Sequence, residues 1–204
     1  MSLLFYVAPQ STASITELVL AELGTPHERV DVNLRGGDRA ALLAVNPNNK
    51  VPVIVHDGTP IFESAAITLY LGEQFGTAQG LWPAAGPKRG EAMKWVVWAN
   101  VTFADAIYRI GRNSGEWTPK DEQNEKALAA AKKDVGNLLA ILDKHLADRA
   151  YLCGADYTLA DTHCASFLGW PRHFMGVDFS AAPHVIAWMD RCEARPAFQR
   201  ARGK

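Results

Sequence analysis

A proline between a turn and a strand-like run constrains this chain more than any other feature. The stretch from Asn46 to Pro52 reads N-P-N-N-K-V-P, and the apolar run Val53 to His56 follows it directly. Proline cannot donate a hydrogen bond to a sheet, and the peptide bond before it adopts the cis form at modest cost. We therefore expect a cis bond before Pro52, in a turn that exposes the backbone amide and carbonyl of Val51.

A second segment follows eleven residues after Pro52, where Glu63-Ser64 opens an apolar helical pattern. The start of a helix offers free backbone amides and a positive dipole end, which favour a bound carboxylate. The backbone groups of Val51 can pair with an extended peptide. Together the two segments predict a site for a small acidic peptide.

These segments resemble the N-P-x-G-K-V-P and E-S-x-A-I signatures of the glutathione S-transferase superfamily, and the similarity extends over nearly the whole chain. One departure is Asn49, where the family usually has glycine, but asparagine tolerates a left-handed conformation better than other residues. The resemblance implies that the proline loop holds the cysteinyl part of glutathione and that the Glu-Ser pair holds its γ-glutamyl carboxylate. The glutathione-binding residues it implies are Lys50, Val51, Pro52, Glu63 and Ser64.

The hydrophobic periodicity predicts an α/β half followed by an all-α half. Strands and helices are expected in the order βαβ-α-ββα, with Asp57-Gly58 as a hairpin turn. This is a thioredoxin-like arrangement, as the resemblance also implies. The expected strands are Leu3 to Val7, Arg29 to Asn33, Val53 to His56 and a strand around Ile61; the expected helices are Ala13 to Leu23, Asp38 to Val45 and Ser64 to Phe75.

A change of composition marks the end of this half, because residues 77–87 are rich in Gly, Ala and Pro and show no periodicity. We expect a thioredoxin-like, glutathione-binding domain over residues 1–78, a linker over 79–87 and a helical bundle over 88–204 that contributes the electrophile site. Apolar residues at 3-4 spacing predict a long helix between Leu128 and Leu146. Thr158 and Asp161 have the form of a capping box, and we assign them to folding.

The expected reaction requires the thiol of glutathione as a thiolate, although an ordinary thiol has a pKa near 8.5. A hydroxyl donor aimed at the sulfur and the positive end of a helix both lower that pKa. In the family this donor follows the first strand, where the present chain has Ser11, with Thr12 and Ser14 as alternatives. Each hydroxyl could instead cap the first helix. The loop contains no cysteine, so a mixed disulfide with glutathione is not expected.

An apolar electrophile would bind between the two halves, against aromatic residues of the helical half. The residues expected there are Tyr108, Arg112, Trp117 and Trp170. Large aromatic side chains also fill cores and dimer interfaces, which is the alternative for each of them. The family resemblance and the aromatic-rich start of the helical half predict a homodimer.

Charge, apolar runs and the spacing of cysteines and histidines exclude several kinds of partner and cofactor. The formal net charge of −1 argues against nucleic acid as a partner, and the absence of a long apolar run or a signal-like start predicts a cytoplasmic protein without a membrane partner. The three cysteines form no C-x-x-C pair and the histidines no metal-ligand spacing, so no metal is expected. Besides a transferase, the sequence allows a glutathione-dependent isomerase, dehalogenase or peroxidase, or a non-catalytic binding module on the same fold.

Overall fold

The computed structural model of the chain describes residues 2–36, 39–115 and 118–201. Its first part is a four-stranded mixed sheet with flanking helices, and the second part is helical. The elements of the first part are β1 (Leu3–Val7), α1 (Ala13–Leu23), β2 (Glu28–Asp31), α2 (Ala40–Val45), β3 (Val53–His56), β4 (Thr59–Phe62) and α3 (Ser64–Leu71). Those of the second part are α4 (Pro87–Trp98), α5 (Ala104–Ser114), α6 (Glu125–Leu146), α7 (Leu159–Phe174), α8 (Pro183–Glu193) and α9 (Pro196–Ala201).

The sheet has the strand order β2-β1-β3-β4. Strand β1 is parallel to β2 and antiparallel to β3, and β4 is antiparallel to β3. The turn between β3 and β4 is Asp57-Gly58, and both residues have positive φ, 45° and 82°, as a two-residue hairpin turn requires. The predicted thioredoxin-like order and the predicted hairpin are therefore confirmed.

Three predicted boundaries differ from the structure. Strand β2 ends at Asp31, two residues before the predicted Asn33. The predicted short helix from Asp38 begins at Ala40 among the described residues, and Asp38 itself lies outside them. The α-helical part of the third predicted helix ends at Leu71, and a π-helical turn covers Gly72–Gly76.

The π-helical turn after α3 begins at a glycine that packs against a tryptophan ring. A Cβ atom added to Gly72 would lie 2.6 Å from Cδ2 of the buried Trp82 indole, so the ring packs directly on the glycine backbone. A helix side chain at this position would displace the ring. The packing of Trp82 thus requires glycine at position 72. The division into residues 1–78, 79–87 and 88–204 stays a prediction.

The helical part contains a second π-helical turn and a capping box. A π-helical turn, Ala99–Phe103, joins α4 to α5. At the start of α7, Thr158 and Asp161 form the predicted capping box, which is confirmed. The buried Asp161 carboxylate also accepts hydrogen bonds from the Leu152 amide at 2.8 Å and from the Trp188 indole at 2.9 Å. Burial raises the pKa of Asp161, and its contacts are structural.

The three cysteines belong to the core. Cys153, Cys164 and Cys192 are free and buried, and burial raises the pKa of each thiol, to about 11 for Cys153. Raised pKa values make these thiols poor nucleophiles at neutral pH. Within residues 2–36, 39–115 and 118–201, no group of three or more His, Cys, Asp and Glu side chains is arranged to hold a metal ion. Among the same residues, no helix is both long and apolar enough to span a bilayer.

Candidate functional site

Three segments of the chain meet at one edge of the sheet. Both Tyr6, near the end of β1, and Phe62, at the end of β4, pair with Val53 at the start of β3. Since β1 and β4 run antiparallel to β3, their carboxyl ends lie beside its amino end. The loop after β1, the proline loop before β3 and the start of α3 are therefore neighbours, and these segments contain all the predicted glutathione and sulfur contacts.

The proline loop has the predicted backbone. The Val51-Pro52 bond is cis, and Asn49 has a positive φ of 54°. The buried Asn46 holds the loop in shape, because its side-chain amide donates to the carbonyl of Lys50 at 2.7 Å. Its side-chain oxygen accepts from the amide of Asn48 at 3.0 Å. Within the part of the chain that the structure describes, no hydrogen bond is found for the N–H of Val51, which leaves it available to a ligand backbone.

The start of α3 is the second part of the site. Glu63 has φ 72° and ψ 119°, a rarely adopted conformation for a residue with a side chain, and makes no side-chain cap of the helix. Strain of this kind costs about 1 to 3 kcal/mol and is found mainly at functional sites. Ser64 is only 5% exposed, and its Oγ accepts a hydrogen bond from the side-chain amide of Asn100 at 2.9 Å. The carboxylate of Glu63 is exposed beside it.

The three candidate hydroxyls at the start of α1 have different contacts. The hydroxyl of Ser11 donates to the carbonyl of Ala8 at 2.7 Å, and its oxygen accepts from the amide of Ala13 at 3.2 Å. Ser11 therefore closes the first turn, and its single hydrogen points to the backbone. The exposed Ser14 donates to the carbonyl of Ser11 at 3.1 Å.

Thr12 differs from both neighbouring serines. It is the N-cap residue of α1, but its side chain makes no capping hydrogen bond. Its hydroxyl lies 3.4 Å from the carbonyl oxygen of Val51, at the limit of a hydrogen bond. The Thr12 hydroxyl is therefore exposed at the proline loop, held only by a weak contact.

A chain of polar side chains continues inward from Ser64; it is half-buried at Asn100 and buried at Thr68 and His163. Asn100, in the π-helical turn between α4 and α5, also contacts His163 of α7, with 2.5 Å between its Oδ1 and the ring Nε2. The other ring nitrogen of His163 lies 2.8 Å from the hydroxyl of Thr68 in α3. His163 is fully buried, and burial lowers its pKa to about 3.

Two family profiles match the chain: the N-terminal domain of glutathione S-transferases over residues 11–74 and the C-terminal domain over residues 100–196. The glutathione S-transferase GstB of Escherichia coli is 32% identical over 187 residues, which are 90% of this chain and 88% of that protein. The chain belongs to the glutathione S-transferase family.

Solved structures of this family have the same fold. A sphingomonad glutathione S-transferase complexed with glutathione is 32% identical, with a TM-score of 0.82 over 97% of this chain and 96% of that chain. A theta class glutathione S-transferase from Xanthomonas axonopodis pv. citri, with glutathione bound, is 30% identical and has a TM-score of 0.83 over 98% of this chain and 96% of that chain. The thioredoxin-like part followed by a helical part is thus confirmed as the fold of this transferase family member.

The predicted electrophile residues lie partly together. Tyr108 and Arg112 are exposed one turn apart on α5, and Trp170 is exposed on α7. The ends of these two helices approach each other, because a Cβ atom on Gly111 would lie 3.7 Å from the methyl carbon of Met175. Trp117 lies outside the described residues.

A further aromatic residue, Phe174, lies at the end of α7. Phe174 is 78% exposed and follows Trp170 by one helical turn. Exposed aromatic side chains at i and i+4 share one face of a helix. Asn46, Asn100 and His163 were missed as functional residues, and for Asn46 the available signal was its place at the head of the N-P-N-N-K-V-P stretch.

Proposed function

We propose that this protein is a glutathione transferase that joins the glutathione thiolate to a small apolar electrophile. The observation that carries the proposal is the meeting of the proline loop, the strained start of α3 and the start of α1 at one edge of the sheet. An extended peptide at this edge would pair with the backbone of Val51. The α-carboxylate of its γ-glutamyl group would meet Ser64 and the amides at the start of α3.

The contacts at the start of α1 favour Thr12 as the hydroxyl that donates to the thiolate. Ser11, the first candidate from sequence, donates its single hydroxyl hydrogen to the Ala8 carbonyl at 2.7 Å, and it would have to give up this hydrogen bond to donate to the sulfur. Thr12 would give up only a 3.4 Å contact to the Val51 carbonyl in order to donate to the sulfur. The positive end of α1 adds to the stabilisation of the thiolate.

Three matched variants test this assignment: Thr12→Val, Ser11→Ala and Ser14→Ala. By analogy with other donors to a developing anion, loss of the donor costs about 2 to 3 kcal/mol, or about 30- to 160-fold in kcat/KM. We expect this loss for Thr12→Val with an activated aryl chloride, together with a raised pKa in the pH profile. Ser11→Ala should instead lower the melting temperature, since a lost cap costs about 1 kcal/mol. Full activity of Thr12→Val would refute the assignment, and the Ser11 variant would then identify the donor if it lost activity.

The electrophile site is proposed on the ends of α5 and α7. Tyr108, Trp170 and Phe174 present apolar surface there, and Arg112 adds a positive charge. A panel of aryl chlorides, peroxides, haloalkanes and cis-enone acids, each with glutathione, separates conjugation from peroxidase, dehalogenase and isomerase activity. Turnover only with another class would replace the proposed reaction. Failure to bind immobilised glutathione would overturn the function altogether.

A homodimer is proposed through the face that carries Val97 and Val101. These valines, 46% and 63% exposed, lie four residues apart at the end of α4 and in the following π-helical turn. Neighbouring exposed aliphatic residues favour an interface between copies. Light scattering should give twice the chain mass, and Val101→Lys should halve it. Ile141→Lys, on the exposed face of α6, is the matched control. A monomeric wild-type protein at micromolar concentration would contradict the proposal.

A further inference from the structure

The polar chain behind Ser64 connects the sheet part of the protein to the helical part. It runs from Ser64 of α3 through Asn100 to His163 of α7 and returns to α3 at Thr68. The distances along it are 2.9, 2.5 and 2.8 Å, all within hydrogen-bonding range. His163 thus holds α3 at one ring nitrogen and the π-helical turn at the other.

The positions of the hydrogens follow from what each group can donate. The Oδ1 atom of Asn100 can only accept, so the hydrogen between it and His163 belongs to Nε2 of the ring. A fully buried ring is neutral, and its Nδ1 therefore accepts the hydrogen of the Thr68 hydroxyl. The amide of Asn100 donates to Oγ of Ser64. Ser64 already receives a hydrogen from inside the protein, and its own hydroxyl hydrogen is directed elsewhere.

We propose that His163 is a positioning residue that, through Asn100, makes Ser64 a hydrogen-bond donor to the α-carboxylate of the γ-glutamyl group. The inference rests on the proposed function, because it assumes glutathione at the start of α3. Because the Ser64 hydroxyl donates to the ligand, the site binds a hydrogen-bond acceptor such as a carboxylate oxygen. A ligand lacking that carboxylate leaves the Ser64 hydroxyl without a partner.

The local backbone supports the assignment independently. Asn100 lies in a π-helical turn, Ala99–Phe103, and the extra residue of such a turn rotates the following side chains relative to a continuous α-helix. Turns of this kind occur often at functional sites. In this turn the side-chain amide of Asn100 reaches Ser64, the first residue of α3.

The test compares two ligands: glutathione and γ-aminobutyryl-cysteinyl-glycine, which lacks only the α-carboxylate. Calorimetry gives the affinity ratio of the two peptides for the wild-type protein and for Asn100→Ala, His163→Leu and His163→Gln. We expect a ratio that favours glutathione and that falls by about tenfold in Asn100→Ala and His163→Leu. His163→Gln should restore most of it, because the glutamine amide can still donate to Asn100.

Two controls separate positioning from loss of packing. Thr162→Val removes a neighbouring buried hydroxyl of α7 that contacts Tyr157 at 2.9 Å; it should lower the melting temperature and leave the affinity ratio unchanged. In a Ser64→Ala background, Asn100→Ala and His163→Leu should change the ratio no further. An equal fall in the ratio with Thr162→Val, or a further fall in the Ser64→Ala background, would overturn the inference.

The ring hydrogen can be located without any ligand or variant. Nitrogen NMR of the folded wild-type protein should find the hydrogen of His163 on Nε2. A hydrogen on Nδ1 would reverse the chain, make Ser64 donate inward and overturn the inference while leaving the proposed function intact. A wild-type protein that binds both peptides equally would overturn only the inference, whereas one that binds neither would overturn the proposed function and the inference with it.

Discussion

Protonation of His163 should destabilise the protein as the pH falls below the ordinary histidine pKa. Burial lowers the pKa of this ring from 6.5 to about 3 in the folded protein. Between these values the unfolded chain binds a proton that the folded chain does not, so stability is lost as the pH falls. A pH of 5 lies one and a half units below the unfolded pKa of 6.5, and each unit lowers the free energy of unfolding by about 1.36 kcal/mol. The loss at pH 5 is therefore about 2 kcal/mol. This figure hardly depends on the folded pKa, provided that it lies below about 4.

Urea unfolding at pH 7 and pH 5, followed by tryptophan fluorescence, measures the effect. The free energy of unfolding of the wild-type protein should fall by about 2 kcal/mol more over this interval than that of His163→Gln, which has no ring to protonate. Other acid-sensitive groups, such as the buried Asp161, are common to both proteins and cancel in the comparison. Equal losses in the two proteins would refute the reasoning, because they would mean that His163 titrates normally when folded.

Two stability predictions concern packing and the connection between the two parts of the chain. Gly72→Ala should destabilise the protein by about 1 to 3 kcal/mol in thermal unfolding, because the new Cβ would lie 2.6 Å from the Trp82 ring. Its control is Gly136→Ala, in open space on α6, which should be neutral or stabilising. A greater loss of stability in Gly136→Ala than in Gly72→Ala would contradict the packing argument. Arg195 makes two hydrogen bonds, of 2.8 and 2.7 Å, to the nearly buried Glu22 of α1, so Arg195→Ala should cost about 3 kcal/mol in urea unfolding. A loss below about 0.5 kcal/mol would contradict this prediction, because it is the value expected for a solvent-exposed ion pair.

Features that depend on neighbouring residues were predictable from the sequence. The cis bond before Pro52, the left-handed Asn49 and the Asp57-Gly58 hairpin each follow from the backbone preferences of a few consecutive residues. The capping box at the start of α7 is equally local. The thioredoxin-like order of elements followed from periodicity and from the family resemblance.

Features that depend on distant residues were not predictable in this way. The α-helical part of α3 ends at Leu71, and the glycine that follows packs against Trp82, ten residues farther along the chain. Asn100 and His163 belong to no sequence motif, and their hydrogen bonds to α3, on which the proposed role rests, form only when the chain folds. The sequence pattern around His163 is that of a residue in a buried helix, and such a pattern carries no information about the partners of its ring.

The sulfur donor shows why the local sequence alone leaves alternatives. Ser11, Thr12 and Ser14 all suit a helix start, and each can cap or donate. Their contacts differ, because Ser11 bonds to Ala8 and Ala13 while Thr12 lies at the Val51 carbonyl, and our proposal of Thr12 as the donor rests on this difference. A residue type that suits both roles becomes informative only once its partner is known.

Two of the polar connections between the two parts of the chain reach α1 and α3 of the thioredoxin-like part. Arg195 and Glu22 join the end of α1 to the start of α9, whereas His163 joins α3 to α7 and the π-helical turn. Only the second connection reaches a proposed ligand contact, Ser64. Loosening the first should therefore lower stability with little change in the preference for the γ-glutamyl carboxylate, whereas loosening the second should change both. The contacts that hold the two parts of the chain together are then separable from those that recognise the ligand, except at His163, which takes part in both.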